Sequence, residues 1–273
     1  MIRIIGVGDN TIDRYLHLGK LFPGGNALNV TVMARRHGYP ASYIGRYGHD
    51  IYGQFLADVL QAEGVDISHC QQVVGSTARG DVSLIDGDRV FGGSNQGVSA
   101  KITLTESDFR FISQHHLAHT SIHSHLERQI PRLSNAAPKL SFDFSQNWDR
   151  KYLSEMLPWI DVVILSYPDR TEADTESLLR WVAGQGPEIV LVTQGEVGAT
   201  AFDGQHLYRQ GIVETQVVDT LGAGDAFAAR FLVEYLGGTP IDITLALAAQ
   251  SAAETCGHFG SFGYGRTFQT EET

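Results

Sequence analysis

The feature that most constrains this chain is the recurrence of short apolar runs between helical stretches. Ile2-Arg3-Ile4-Ile5-Gly6-Val7 comes first. Leu140-Ser141-Phe142-Asp143-Phe144, Val162-Val163-Ile164-Leu165 and Ile189-Val190-Leu191-Val192 follow. Each is bounded by helix-like or turn residues, a pattern that predicts α/β layers around a mostly parallel sheet. Asn26 to His37 reads as a helix, with Arg35, Arg36 and His37 at its negative end and Gly38 just beyond. Leu245 to Cys256 is Ala-rich and reads as a tightly packed helix. Two segments break the alternation. Thr11 to Leu21 reads as an extended excursion. Gln71 to Gly93 alternates, and its Asp86-Gly87 signals a hairpin turn between Val82–Ile85 and Arg89–Phe91. Residues 94–110 read as a connection back to the main body.

With 273 residues the chain can bury a large core in one domain. The formal net charge of −11 makes nucleic acid and anionic membrane poor partners, although solubility alone explains an acidic balance. Cys70 and Cys256 lie far apart with no CxxC, so a reducing compartment and no disulfide framework are expected. Met1 is followed directly by a strand-like run rather than a basic-then-apolar leader. No apolar stretch reaches membrane-spanning length. A cytoplasmic protein is the expectation.

Asp219-Thr220-Leu221-Gly222-Ala223-Gly224-Asp225-Ala226-Phe227 carries the strongest chemical signal. Ala228, Phe231, Leu232 and Tyr235 give the following helix one apolar face, and Gly237-Gly238 stops it. Glycines at a helix start leave N–H groups pointing outward, where the helix dipole favours an anion such as phosphate. A carboxylate beside a phosphate suits a base that takes a proton from an attacking hydroxyl. Taken alone, the same residues are equally a glycine-rich turn with Asp225 as a plain cap.

These nine residues resemble the C-terminal signature of the ribokinase-like (phosphofructokinase B) sugar kinases. Gly24-Gly25-Asn26-Ala27-Leu28-Asn29-Val30 resembles that family's sugar-binding Gly-Gly motif, and Val192 to Ala199 resembles its nucleotide loop. Within the family, Gly8-Asp9-Asn10, Gly24 to Val30, Gly87 to Gly92 and Phe142-Asp143-Phe144-Ser145 are similar to the branch acting on fructosamines such as fructoselysine. The resemblance implies a ribokinase-like three-layer α/β/α fold: a single domain, 1–273, with a small β lid from segments about 11–22 and 71–93. It implies Asp225 as base, with the N–H groups of Gly222, Ala223 and Gly224 holding charge on the transferred phosphoryl group. Asn10, Asp13, Gly24, Gly25 and Asn29 are implied to bind sugar hydroxyls, although Asp9-Asn10 also suits a turn and Asn26 or Asn29 a helix cap. Arg89, with Arg79, is a candidate in the lid for a substrate carboxylate. Thr193, Gly195 and Gly198 are implied to form the phosphate side of the nucleotide site, with adenine near 245–256.

The chain departs from the family at one place. An Asn-x-x-Glu that arranges magnesium waters in many members is here Ser166-Tyr167-Pro168-Asp169, so Ser166 and Asp169 are shorter substitutes. By resemblance, Mg2+ and ATP are required, a K+ site lies near Asp219 and Gly260-Ser261, and two copies pair through their lids. His115, His116, His119, His123 and His125 cluster without a cysteine or HExxH partner; a metal, a substrate contact and plain core or surface histidines all remain open. The expected function is phosphoryl transfer from ATP to the primary 6-hydroxyl of a fructosamine. A kinase of plain sugars (fructose, ribose) or nucleosides, and a sugar sensor without catalysis, are the alternatives.

Overall fold

The computed structural model describes residues 2–85 and 88–268, with side chains other than those of 84–91. In chain order the elements are β1 (Ile4–Gly8), β2 (Thr11–Tyr15), β3 (Lys20–Gly24), α1 (Asn26–Arg36), β4 (Ala41–Gly48), α2 (Ile51–Ala62), β5 (Gln71–Val73), β6 (Arg79–Ile85), β7 (Asp88–Asn95), α3 (Glu106–Ile112) and β8 (Leu117–Ser121). There follow α4 (Ile130–Ala136), β9 (Leu140–Asp143), α5 (Arg150–Met156), β10 (Val162–Ser166), α6 (Glu172–Ala183), β11 (Ile189–Thr193), β12 (Ala199–Phe202), β13 (Leu207–Gln210), α7 (Ala223–Leu236), α8 (Ile241–Cys256) and β14 (Arg266–Thr267).

Nine strands form the main sheet in the order β13-β12-β11-β10-β9-β8-β1-β4-β5. From β11 to β5 all neighbours are parallel; β12 and β13 close one edge antiparallel. The near-continuous apolar runs follow from burial on both faces. Period two sends Ile4, Val162, Ile164 and Leu191 into a core with Leu28 of α1, Leu56 of α2, Phe231 of α7 and Leu245 of α8. It sends Ile5, Val163, Leu165 and Val190 into an opposite core with Ile112 of α3, Leu133 of α4, Leu153 of α5 and Leu179 of α6. The result is the expected three-layer α/β/α arrangement.

A separate five-stranded sheet, β14-β3-β2-β6-β7, covers one end. Tyr15, Phe22 and Val82 make its small core. Two boundaries differ from the sequence expectation. β5, inside the expected lid segment 71–93, pairs in parallel with β4 and extends the main sheet, so the lid's second segment starts at Arg79 and runs to Asn95. β14, unforeseen, pairs antiparallel with β3. Val82, at the start of the expected hairpin strand, is buried against Tyr15 and Phe22.

The chain reverses direction across the sheet at β1, whose neighbours are β4 on one side and β8 on the other. In open α/β sheets, ligands bind outside the carboxyl ends of strands at such a switch point. Residues of the small sheet and of the main sheet line one cavity at that end.

Candidate active site

A cavity of about 600 Å3 opens there. Asp9 and Asn10 come from the end of β1, Asp143 from β9, Ser166 from β10 and Thr193 from β11; Asp13, Arg79 and Asn95 come from the lid strands. Asn26 and Asn29 come from α1, Gly224 and Asp225 from α7.

Asp225 is not a helix cap. Gly222 holds the N-cap position in the left-handed region (φ 81°), where a Cβ would also collide with Ser261. The Asp225 carboxylate instead accepts one hydrogen bond per oxygen from α1: Asn26 Nδ2 donates to Oδ1 at 2.8 Å and Asn29 Nδ2 to Oδ2 at 2.6 Å. The two asparagines lie three residues apart on one helical face. Burial pushes the Asp225 carboxyl up to about 7, opposed by the Asn29 and Asn26 donors and reinforced by the charges of Asp143 and Asp9. A base poised near neutrality is the form that general base catalysis favours.

Asn26 does more than touch Asp225. The same Nδ2 donates to Asp143 Oδ2 at 2.9 Å, so one amide bridges two carboxylates. Burial pushes Asp143 up to about 6, opposed by the Ser145 amide and by Asn26. Asn26 Oδ1 can only accept, and its neighbour is His119 Nε2 at 2.9 Å. His119 therefore donates from Nε2, and its Nδ1 accepts from Ser141 Oγ at 2.7 Å. Burial pulls His119 down to about 4, which keeps the ring neutral and this tautomer in place.

Asp9 serves a structural role. Its carboxylate accepts from the backbone N–H of Asn26 at 2.6 Å and of Ala27 at 3.3 Å, capping α1 from a different element. Ser121, the last residue of β8, and Ser124, just beyond it, both donate to Asp9 Oδ1 at 2.8 Å. Gly25, the N-cap residue with φ 109°, has no room for a Cβ beside the Asn10 backbone. Gly24 does the same against the Asp13 carboxylate. The caps proposed for Asn26 and Asn29 are thus filled by Asp9, which frees both amides for the cavity.

Two buried acceptors line this cavity without a hydrogen-bond partner: Asn10 Oδ1 and Asn29 Oδ1. Asn10 is otherwise held by Nδ2 bonds to Tyr43 Oη and the Arg46 carbonyl, both at 3.1 Å. Buried polar groups are nearly always satisfied, so these oxygens point to a ligand rich in donors, as hydroxyls are.

The remaining expected residues divide. Ser166 and Thr193 are register partners on β10 and β11 and line the cavity. Gly195 (φ 58°) and Gly198 (φ 109°) shape the turn after β11 outside it. Asp169 is exposed, in the left-handed region (φ 57°), and does not line the cavity. Ala223 N–H donates to the Thr220 carbonyl at 3.3 Å. Asp219, near which a K+ was expected, accepts from Tyr15 Oη at 2.5 Å, Gly260 N–H at 3.0 Å and Leu221 N–H at 3.0 Å. The Arg89 side chain lies outside the described residues. Of the histidines, His123 and His125 line the cavity, His119 supports Asn26, and His115 is buried against Ser42. Among the described residues no group of three His, Cys, Asp or Glu side chains is placed to hold a metal. No helix there is long and apolar enough to cross a membrane.

A buried carboxylate in the first turn of a helix, facing a cavity lined by unsatisfied acceptors at a sheet switch point, is an arrangement suited to phosphoryl transfer to a hydroxyl, as in the ribokinase type of phosphotransferase. Residues 2–263 match the pfkB family carbohydrate kinases, and the chain belongs to that family of ATP-dependent sugar kinases. It is 40% identical to the Bacillus subtilis (strain 168) fructosamine kinase FrlD, covering 99% of this chain and 96% of that one. It is 37% identical to the fructoselysine 6-kinase of Escherichia coli (strain K12), over 94% and 98%. Its fold matches Arabidopsis thaliana ribokinase, solved with ribose and ATP, at a TM-score of 0.82 and 20% identity over 95% and 94% of the two chains.

Proposed function

We propose that this kinase transfers the γ-phosphoryl group of ATP to the 6-hydroxyl of a fructosamine, fructoselysine being the type. The observation that carries phosphoryl transfer is the Asp225 carboxylate, clamped by Asn26 and Asn29 and poised near neutrality at the start of α7. Asn10 Oδ1, Asn29 Oδ1 and Asp13 receive the sugar hydroxyls. The 6-hydroxyl then meets Asp225, which takes its proton as the oxygen attacks the γ-phosphorus. The positive end of α7, with the N–H groups of Gly222 and Gly224, steadies charge on the phosphoryl oxygens, while the Ala223 N–H, expected to join them, is turned to the Thr220 carbonyl. Ser166 and Thr193 face the incoming nucleotide, with Gly195 and Gly198 shaping the loop behind them.

Magnesium keeps several waters and takes direct ligands from phosphates, so a site without a cluster of protein carboxylates fits it. Ser166 and Asp143 are the cavity residues placed to hold its waters, and the ion would neutralise phosphate charge. Asp169 reaches this site only if its turn rearranges. Three donors already occupy the Asp219 carboxylate, which leaves it at most about one lone pair for a K+.

Two copies joined through their lids suit the outer strand β7, whose edge offers unpaired backbone groups. A cytoplasmic location suits the two free cysteines. An intact, tuned base speaks against a sensor without catalysis. A coupled assay for ADP release tests the substrate. Fructoselysine should exceed fructose in kcat/KM by at least roughly tenfold, about 1.4 kcal/mol of transition-state binding. Equal efficiency would remove the fructosamine assignment and leave a plain sugar kinase.

A further inference from the structure

A second cavity, of about 570 Å3, adjoins the first. His125 lines both. Its other walls include Ile122 and Glu127, beyond β8, and Trp148, Asp149 and Tyr152, from the loop after β9 and the first turn of α5. None of these residues has a part in the phosphoryl transfer described above.

The walls combine flat aromatic surface with two carboxylates. Trp148 is fixed by a bond from Nε1 to the Ser145 carbonyl at 3.1 Å and by its ring contact with Tyr167. Ser145 itself lines the first cavity and donates its amide to Asp143, so the aromatic wall and the sugar site share one turn. Tyr152 Oη donates to Glu127 Oε1 at 3.1 Å, and the Tyr152 amide to Asp149 Oδ1 at 2.8 Å. Each of these bonds employs one carboxylate oxygen. At the boundary, His125 Nε2 pairs at 2.9 Å with Nε2 of Gln96, the residue after lid strand β7.

We propose that this second cavity receives the amine-borne tail of the substrate. The hydrocarbon stem lies along Trp148 and Tyr152, and an ammonium group at its end pairs with Glu127 and Asp149. The inference rests on the fructosamine reading. A cation beside aromatic faces and carboxylates gains from both. A lysine tail supplies stem and ammonium together, whereas a plain hexose has nothing to place there. His125 and Gln96 stand where the tail leaves the sugar, so lid and body meet around it.

Steady-state kinetics with three acceptors test this: fructoselysine, fructosyl-pentylamine (a similar stem without the terminal ammonium and carboxylate) and fructose. The variants are Glu127→Gln, Asp149→Asn and the double variant; Asn at 149 retains the cap on α5. The double variant should raise KM for fructoselysine roughly five- to tenfold, the combined weight of two solvent-screened ion pairs, with kcat within about twofold. KM for fructosyl-pentylamine and fructose should stay at the parent value, which also reports intact folding. Trp148→Ala should raise KM for both amines and spare fructose. An unchanged fructoselysine KM in the double variant, or equal losses on all three acceptors, would overturn the inference. A parent enzyme that uses fructose but neither amine would overturn the fructosamine reading and this site with it. A parent that prefers the amines, with indifferent variants, would overturn the site alone.

Discussion

Replacing Asn26 with alanine isolates the base from its support. Asn26 Nδ2 gives Asp225 one of its two charge-assisted hydrogen bonds, at 2.8 Å, and the bond favours the ionised form. A hydrogen bond to a charged group contributes about 1.5–3 kcal/mol, and one pKa unit corresponds to about 1.36 kcal/mol, so the loss should raise Asp225 by roughly one to two units. Catalysis needs the carboxylate, so activity rises as pH climbs through the Asp225 pKa, about 7 in the parent. In Asn26→Ala that rise should move upward by the same one to two units, leaving roughly a tenth or less of the base ionised at pH 7. The assay is kcat/KM for the fructosamine against pH from about 5.5 to 10, the quantity that reports the enzyme before the acceptor binds, over a span set to bracket both limbs. Near its upper end the variant should come within a few fold of the parent. A rate loss of equal size at every pH, with the acid limb unmoved, would refute this reasoning and make Asn26 a substrate contact instead.

Asp225→Asn should lower kcat by at least ~10²-fold, the range of general base catalysis, while calorimetry still detects nucleotide binding; near-parental turnover would sink the base assignment. Gly222→Ala forces a side chain into a left-handed turn against Ser261, and thermal unfolding should show a loss of about 1–3 kcal/mol together with reduced kcat. Light scattering at micromolar concentration should give a dimer, and a monomer there would count against pairing through the lids.

The main sheet was legible because its strands are buried on both faces, so Val162–Leu165 and Ile189–Val192 read as unbroken apolar runs. The helix starting at the Gly222-Ala223-Gly224 turn was legible because glycine has a conformational task there. Asn26 was not. Its role comes from Asp225, 199 residues away, and from His119 beneath it, and no local pattern records such a meeting. The one available signal was the three-residue spacing of Asn26 and Asn29, which sets both amides on one face once the helix is granted. Asp9 was hidden for a related reason: beside Asn10 it suits a turn, yet here it caps a helix begun seventeen residues later. β5 was misassigned because three residues with little burial carry no periodic signature, and only pairing with β4 decides which sheet receives them.

The bond from Tyr15 to Asp219 bears on how the enzyme opens. Tyr15 ends lid strand β2, and Asp219 begins the loop that delivers Gly222 and Asp225. Arg14, its neighbour, is paired with Asp81 on β6, and β3 runs directly through Gly24 and Gly25 into α1. The lid is therefore bolted at its root on both sides of the catalytic centre. Any gape must arise farther out, along β6 and β7, as a sleeve turned back rather than a door swung on its frame. Asn95 and Gln96 form the outer wall of the cavity, above a floor where Asn26 and Asn29 already hold the Asp225 carboxylate in register.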